Sequence, residues 1–222
     1  MEKIPFIIDR VIPALNEGLK LSVELIIPAA ILGLLLGIIV GSLRTHAPTW
    51  LKVGANGFAA LFRGTPLVLQ LFFIYYGLPK IGISFEPYSA ALLGFILCSG
   101  AYHSEYIRGG LLATKQGQFR AANALGFSTF KTLIWIVVPQ AVRRALPGCS
   151  NEIIYLIKYS SLAYVVTVME LTGQAKELAA QSFDFITTFF VVGLYYLAIV
   201  TVATFLLRHL EKRLRIPGFG AS

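Results

Sequence analysis

Charge is scarce in this chain. Charged residues make up 14% of its 222 positions, where soluble domains carry about a quarter. With 56% hydrophobic residues and a mean hydropathy of +0.73, an ordinary soluble domain is excluded. Cysteine is nearly absent. Cys98 and Cys149 both lie in apolar segments, so they read as small buried hydrophobes rather than a disulfide framework. No His-Glu-x-x-His or Cys-x-x-Cys occurs, which leaves a metal site without ligands of the right spacing. No Gly-x-x-x-x-Gly-Lys-Ser/Thr loop occurs either, so any nucleotide that drives this protein must bind another chain. The first long apolar run starts late and lacks a small-residue cleavage site; it reads as a retained span rather than a signal peptide.

Long apolar runs are what the chain does have. A helix needs about 20 residues to cross a bilayer's hydrocarbon core. Five segments meet or approach that length, at about 19–43, 53–79, 87–107, 145–169 and 185–207. The alternating ten-residue strands of a membrane barrel are missing. The expected fold is therefore all-α, a single membrane domain over 1–222 with five spans and a cytoplasmic segment at about 108–144.

The net charge of +8 is explained by topology rather than by nucleic acid. With the N-terminus outside, 12 basic residues fall on the cytoplasmic side, including Arg44, Arg108, Lys115, Arg120, Arg144, Arg208 and Arg215. Five fall outside, together with seven acids. Positive charge collects on the cytoplasmic side of membrane proteins, which selects N-out, C-in.

Several local patterns bear on packing and chemistry. Ile4, Ile7, Ile8, Val11, Ile12 and Leu15 recur at helical spacing, which suggests a short helix in the outer interface. Gly33, Gly37 and Gly41 form a stripe along which helices approach closely. His103 and Ser104 are adjacent, and adjacent helical residues do not face each other, so a Ser/His hydrolase is not indicated. Glu105, Asn151, Glu152 and Tyr155 are the candidates for a solute path, since polar groups within spans face a partner or a polar cavity. Glu105 has an alternative partner in Arg108 at i+3. Glu152 and Asn151 share part of one helical face with Tyr155 by spacing. Were Glu152 to face the path, a cationic solute would be favoured. Glu152 and Lys158, six residues apart, lie about 120° apart on a helix and do not pair within it.

Residues 120–139 read "RAANALGFSTFKTLIWIVVP". They resemble the cytoplasmic signature of ATP-binding-cassette importer permeases: Glu-Ala-Ala, three residues, Gly, nine residues, Ile-x-Leu-Pro. Ala121, Ala122, Gly126, Ile136 and Pro139 match; Arg120 replaces the family's acid and Val138 its leucine. "FRGTPLVLQLFFIYYGLP", "AYHSEYIRGG", "VVPQAVRRALPGCSNEIIYLIKYSSL", "ELTGQAKELAAQSFDF" and "RHLEKRLRIPGF" extend the resemblance, over nearly the whole chain, to the polar amino-acid permease subfamily. That resemblance implies a type I importer fold in the bacterial cytoplasmic membrane. It implies a coupling helix across Gly117, Ala121, Ala122, Leu125, Gly126 and Phe127 that docks on a separate ATPase. It further implies ATP and Mg in that ATPase pair, a second identical or homologous permease, and an extracytoplasmic amino-acid-binding protein. Arg120 reverses a charge at the ATPase contact. The physical fit is good, because alanines allow close approach and Gly126 permits a terminating turn. A self-contained secondary transporter would usually show paired inverted repeats, and none is visible. An intramembrane hydrolase would need a nucleophile and base on facing helices. A structural scaffold would leave the ordered loop pattern unexplained.

Overall fold

A computed structural model describes residues 3–114 and 117–214, and every regular element among them is helical. The helices are α1 (Lys3–His46), α2 (Thr49–Gly64), α3 (Leu67–Ile81), α4 (Pro87–Leu112), α5 (Gly117–Ala124), α6 (Thr129–Val166), α7 (Leu171–Ser182) and α8 (Phe185–Leu214). Among the described residues, α1 and α8 are long and apolar enough to cross a membrane. The number rises to four if each of the bent pairs α2–α3 and α6–α7 is one span. Lys115, Arg215 and the rest of the basic tail beyond Leu214 lie outside the described residues.

The boundaries differ from the sequence expectation in three places, each with a local cause. The outer interfacial helix is not separate: α1 runs unbroken from Lys3, through one wide π-turn at Ile7–Val11. The stretch expected at 53–79 is split, because Pro66 has no N–H to give and forces Thr65 into an extended conformation (φ −116°, ψ 143°). The segment expected as cytoplasmic connection up to 144 is helical from Thr129, where Ser128 caps the first turn. At the other end α6 stops at Val166, followed by Thr167 in the left-handed region (φ 65°).

The chain forms two compact units. One comprises residues up to Ala30 with Pro66–Phe95 and Ile154–Phe205. Its core joins Phe6, Val11 and Leu15 of α1 to Leu171, Ala175 and Leu178 of α7 and Val191 and Val192 of α8. The spacing 171/175/178 puts one face of α7 inward.

The other unit comprises Ile31–Thr65, Ile96–Ile153 and the chain from Leu206 on. Its core sets Ile107 and Leu111 of α4 against Val137, Ala141, Ala145 and Cys149 of α6. Here the glycine stripe of α1 is a packing face. A side chain at Gly33 would collide with Ser99, one at Gly37 with His103, and one at Gly41 with Ile107. The two helices meet backbone to backbone at a four-residue repeat. The opposite side of α1 presents Ile31, Leu35 and Ile39 outward. Small residues inside and branched apolar residues outside is the distribution expected when lipid is the solvent.

Candidate coupling surface and solute path

Residues 117–127 build a short, deliberately ended helix. The amide of Phe127 donates to the Ala122 carbonyl (3.0 Å) and that of Gly126 to Asn123 (3.0 Å). Gly126 sits at φ 83°. This is a Schellman termination, in which a left-handed residue lets the last amides reach back to orphan carbonyls. Nothing lies within 4 Å of where a Gly126 side chain would start, so the requirement for glycine is one of backbone angle. Phe119 stacks on His46 of α1 at 5.5 Å between ring centroids, and Gln140 of α6 reaches Gln118 at 3.4 Å. These contacts seat α5 on its own chain. Ala122 is turned inward and buried, whereas Ala121, Leu125, Gly126 and Phe127 are exposed. Leu125, at 78% exposure, is the most prominent apolar group of the segment.

Glu105 lies on α4 at the meeting point of three arginines. Arg44 approaches one carboxylate oxygen at 2.9 Å, Arg63 the same oxygen at 2.5 Å, and Arg108 the other. Arg44 also donates to Asn56 (2.9 Å) and to the Ser104 hydroxyl (3.0 Å). Arg63 stands 5.7 Å from the Tyr102 ring centroid. One carboxylate thus ties the ends of α1 and α2 to α4. The i+3 pairing with Arg108 was legible from spacing; the other two arginines are 61 and 42 residues away in sequence. Ser104, held by Arg44 and by the Ala101 carbonyl (2.7 Å), does not engage the buried ring of His103, whose two nitrogens have no hydrogen-bond partner.

The expected shared face of Asn151, Glu152 and Tyr155 is corrected. Asn151 and Tyr155 are exposed on α6, but Glu152 is turned inward, 3% exposed, with Oε1 lacking a hydrogen-bond partner. It lies within electrostatic range of Cys98, Cys149 and Tyr102. Residues three apart on a helix are rotated by about 60° from perfect overlap, and here that rotation carries one inside and the other out.

The family model of binding-protein-dependent transport system inner membrane components matches residues 33–216. This chain belongs to that family. The permease is 37% identical over 207 residues to the glutamine transport system permease protein of Escherichia coli K12, covering 92% of this chain and 94% of that one. It is 35% identical over 208 residues to the arginine transport system permease protein of Bacillus subtilis 168, with 92% and 94% covered. In structure it is similar to a crystallised amino acid ABC transporter with histidines, at a TM-score of 0.81 and 28% identity, covering 90% of this chain and 94% of that one. The fold is that of a type I ABC importer permease, an all-helical inner-membrane component.

One group in the permease had no sequence expectation. Glu170, fully buried, caps the start of α7: its carboxylate accepts from the amides of Thr172 (2.9 Å) and Gly173 (3.0 Å) and from the Tyr196 hydroxyl (3.1 Å). Ser22 of α1 accepts from the next amide, Leu171, at 3.1 Å. Both carboxylate oxygens, which burial would otherwise strand, are thus met by donors, and the acid serves as a joint between α7 and α8, with Ser22 of α1 beside it. The signal was present, a carboxylate directly ahead of a new helix in "ELTG".

Proposed function

We propose that this chain is one of two permease subunits of an ATP-driven importer for a polar or charged amino acid. In this reading α1, the broken pair α2–α3, α4, α6 and α8 are five crossings, with the N-terminus outside and the C-terminus in the cytoplasm. A second copy or a homologous permease completes the path, an extracytoplasmic binding protein delivers the solute, and a pair of separate ATPases binds ATP and Mg. The permease does no covalent chemistry. ATPase closure moves α5 and shifts the path between inward- and outward-facing states, which requires α5 to be held differently in the two. The glutamine and arginine systems named among its relatives support the amino-acid assignment.

The observation that carries the reading is α5 itself: a glycine-terminated helix seated on its own chain, with Ala121, Leu125 and Phe127 uncovered and Ala122 turned inward. The docking side is therefore Ala121 and Leu125, while Ala122 belongs to the seat. Leu125→Asp is expected to release the ATPase from the detergent-purified complex and to lower uptake by at least about tenfold. The binding protein's affinity for its solute should stay unchanged. Full uptake with the ATPase still attached would remove the docking assignment.

A further inference from the structure

Gln118, Phe119 and Ala122 seat α5 on its own chain, and together they span about 100° of its circumference. Arg120 lies on the far side, about 160° around the helix from Ala122. With Gly117 and Ala124 it forms the outermost stripe of α5, and all three are exposed. A side chain at Gly117 would meet nothing within 4 Å. Arg120 is the charge on that stripe, and among the described residues no carboxylate pairs with it.

The surrounding chain is uniformly basic. From Tyr106 to Asn151 the sequence contains no Asp or Glu, but six Lys and Arg. Arg108 is held by Glu105 and Arg144 by the Ala113 carbonyl, which leaves Arg120, Lys131 and Arg143 exposed. The compact unit containing α5 has three acids, Glu105, Glu152 and Glu211, against thirteen Lys and Arg. Glu105 is shared by three arginines, Glu152 is buried, and Glu211 adjoins Lys212 and Arg213. In the proposed topology the other eight acids are external or, for Glu24, near the outer end of the first crossing. On the cytoplasmic side a second copy therefore presents a surface of the same sign. Anionic lipid suits helices whose apolar face enters the bilayer opposite their basic residues. The side of α5 opposite Arg120 is already occupied by its own chain.

We propose that Arg120 determines which ATPase this permease accepts, by pairing with a carboxylate in the ATPase groove that receives α5. The proposal rests on the docking reading and deepens it by fixing the charge of the partner surface. A groove of the same shape with Lys or Arg at that place is rejected by like-charge repulsion. Gly117, Ala121 and Ala124 flank Arg120 with little side-chain bulk, so the partner backbone can come close. Close approach removes water from the pair and strengthens its charge-assisted hydrogen bonds.

The test is binding of the copurifying ATPase to the full-length permease in nanodiscs of neutral phosphatidylcholine, at about 0.1 M and about 0.4 M salt. R120Q should weaken binding by about tenfold at the lower salt, the scale of one charged hydrogen bond, and by less at the higher. R120K should keep part of the affinity, and R120E should lose more than R120Q. Changing one groove carboxylate of the ATPase to lysine should restore binding to R120E while weakening it to wild type. Equal or tighter binding by R120Q at both salts overturns the assignment, as does an R120E loss that no such change rescues. An R120Q effect confined to nanodiscs containing anionic phosphatidylglycerol also overturns it and marks a lipid contact. Loss of the second permease with the ATPase retained overturns it as a subunit contact. If L125D releases the ATPase but R120Q does not weaken it, docking stands and the role of Arg120 falls. Failure of the wild-type permease to bind any ATPase would instead overturn the docking reading itself.

Discussion

Glu105 and Glu152 are both acids within helices, and the chain treats them in opposite ways. Glu105 is shared by Arg44, Arg63 and Arg108, so Glu105→Gln would leave three guanidiniums facing one another. Because the cluster is partly exposed, with Glu105 at 27%, the loss is expected to be about 1–3 kcal/mol, below that of a fully buried pair. It should appear as a lower midpoint in detergent thermal unfolding, with Arg44→Gln, at 9% exposure, costing more than Arg63→Gln. Glu152 is buried with an oxygen that no described residue satisfies. Glu152→Gln should therefore be mild for stability. If the solute path opens onto it, the substitution lowers uptake of basic amino acids more than neutral ones in reconstituted vesicles; equal loss would remove Glu152 from the path. Sequence spacing found both acids as groups that need a partner. It reached only the partner one turn away, because Arg44 and Arg63 are brought to Glu105 by packing of separate helices. It also could not tell inside from outside on α6, where Asn151 and Tyr155 lie about 40° apart and Glu152 about 60–100° from them, a spread that spacing alone does not assign to core or surface.

At the scale of elements, the segment 117–127 was the most legible part of the chain. Two alanines and a glycine at fixed spacing became a helix with a left-handed stop, and the stop depends on one residue. Gly126→Ala is expected to cost about 1–2 kcal/mol, the penalty of an L side chain in that conformation, with no added clash since the space around it is open. The measurable outcome is faster amide exchange across residues 117–127 while α4 and α6 stay protected. Unchanged exchange would show that the turn is held by something other than its glycine. Helix ends were read less well, and for a common reason. Apolarity marks where a helix lies in lipid and is blind to where the backbone stops. The split at Pro66 was written in the sequence as Gly-Thr-Pro. The continuation of α6 back to Thr129 was masked by polar and basic residues that a helix tolerates outside the membrane.

At the scale of the whole molecule, composition settled the class and motif order settled the family. α8 turns Ile186, Phe190, Leu194 and Phe205 outward, a surface that only lipid or another apolar chain satisfies. Lys158 and Tyr155 on α6 are outward too, and they are unsuited to lipid. The protein therefore carries two kinds of exposed surface, one matched to the bilayer and one awaiting polar company.

The arginine cluster has a practical consequence for anyone preparing this protein. Three cations gathered on one half-open carboxylate make a joint whose strength depends on the solvent's ions. Salt near 1 M shortens the screening distance to about 3 Å, comparable with the contacts themselves. Extraction in concentrated salt would loosen the ties from α1 and α2 to α4 while leaving the apolar cores intact. The choice of buffer thus sets how firmly α1 and α2 are held to α4.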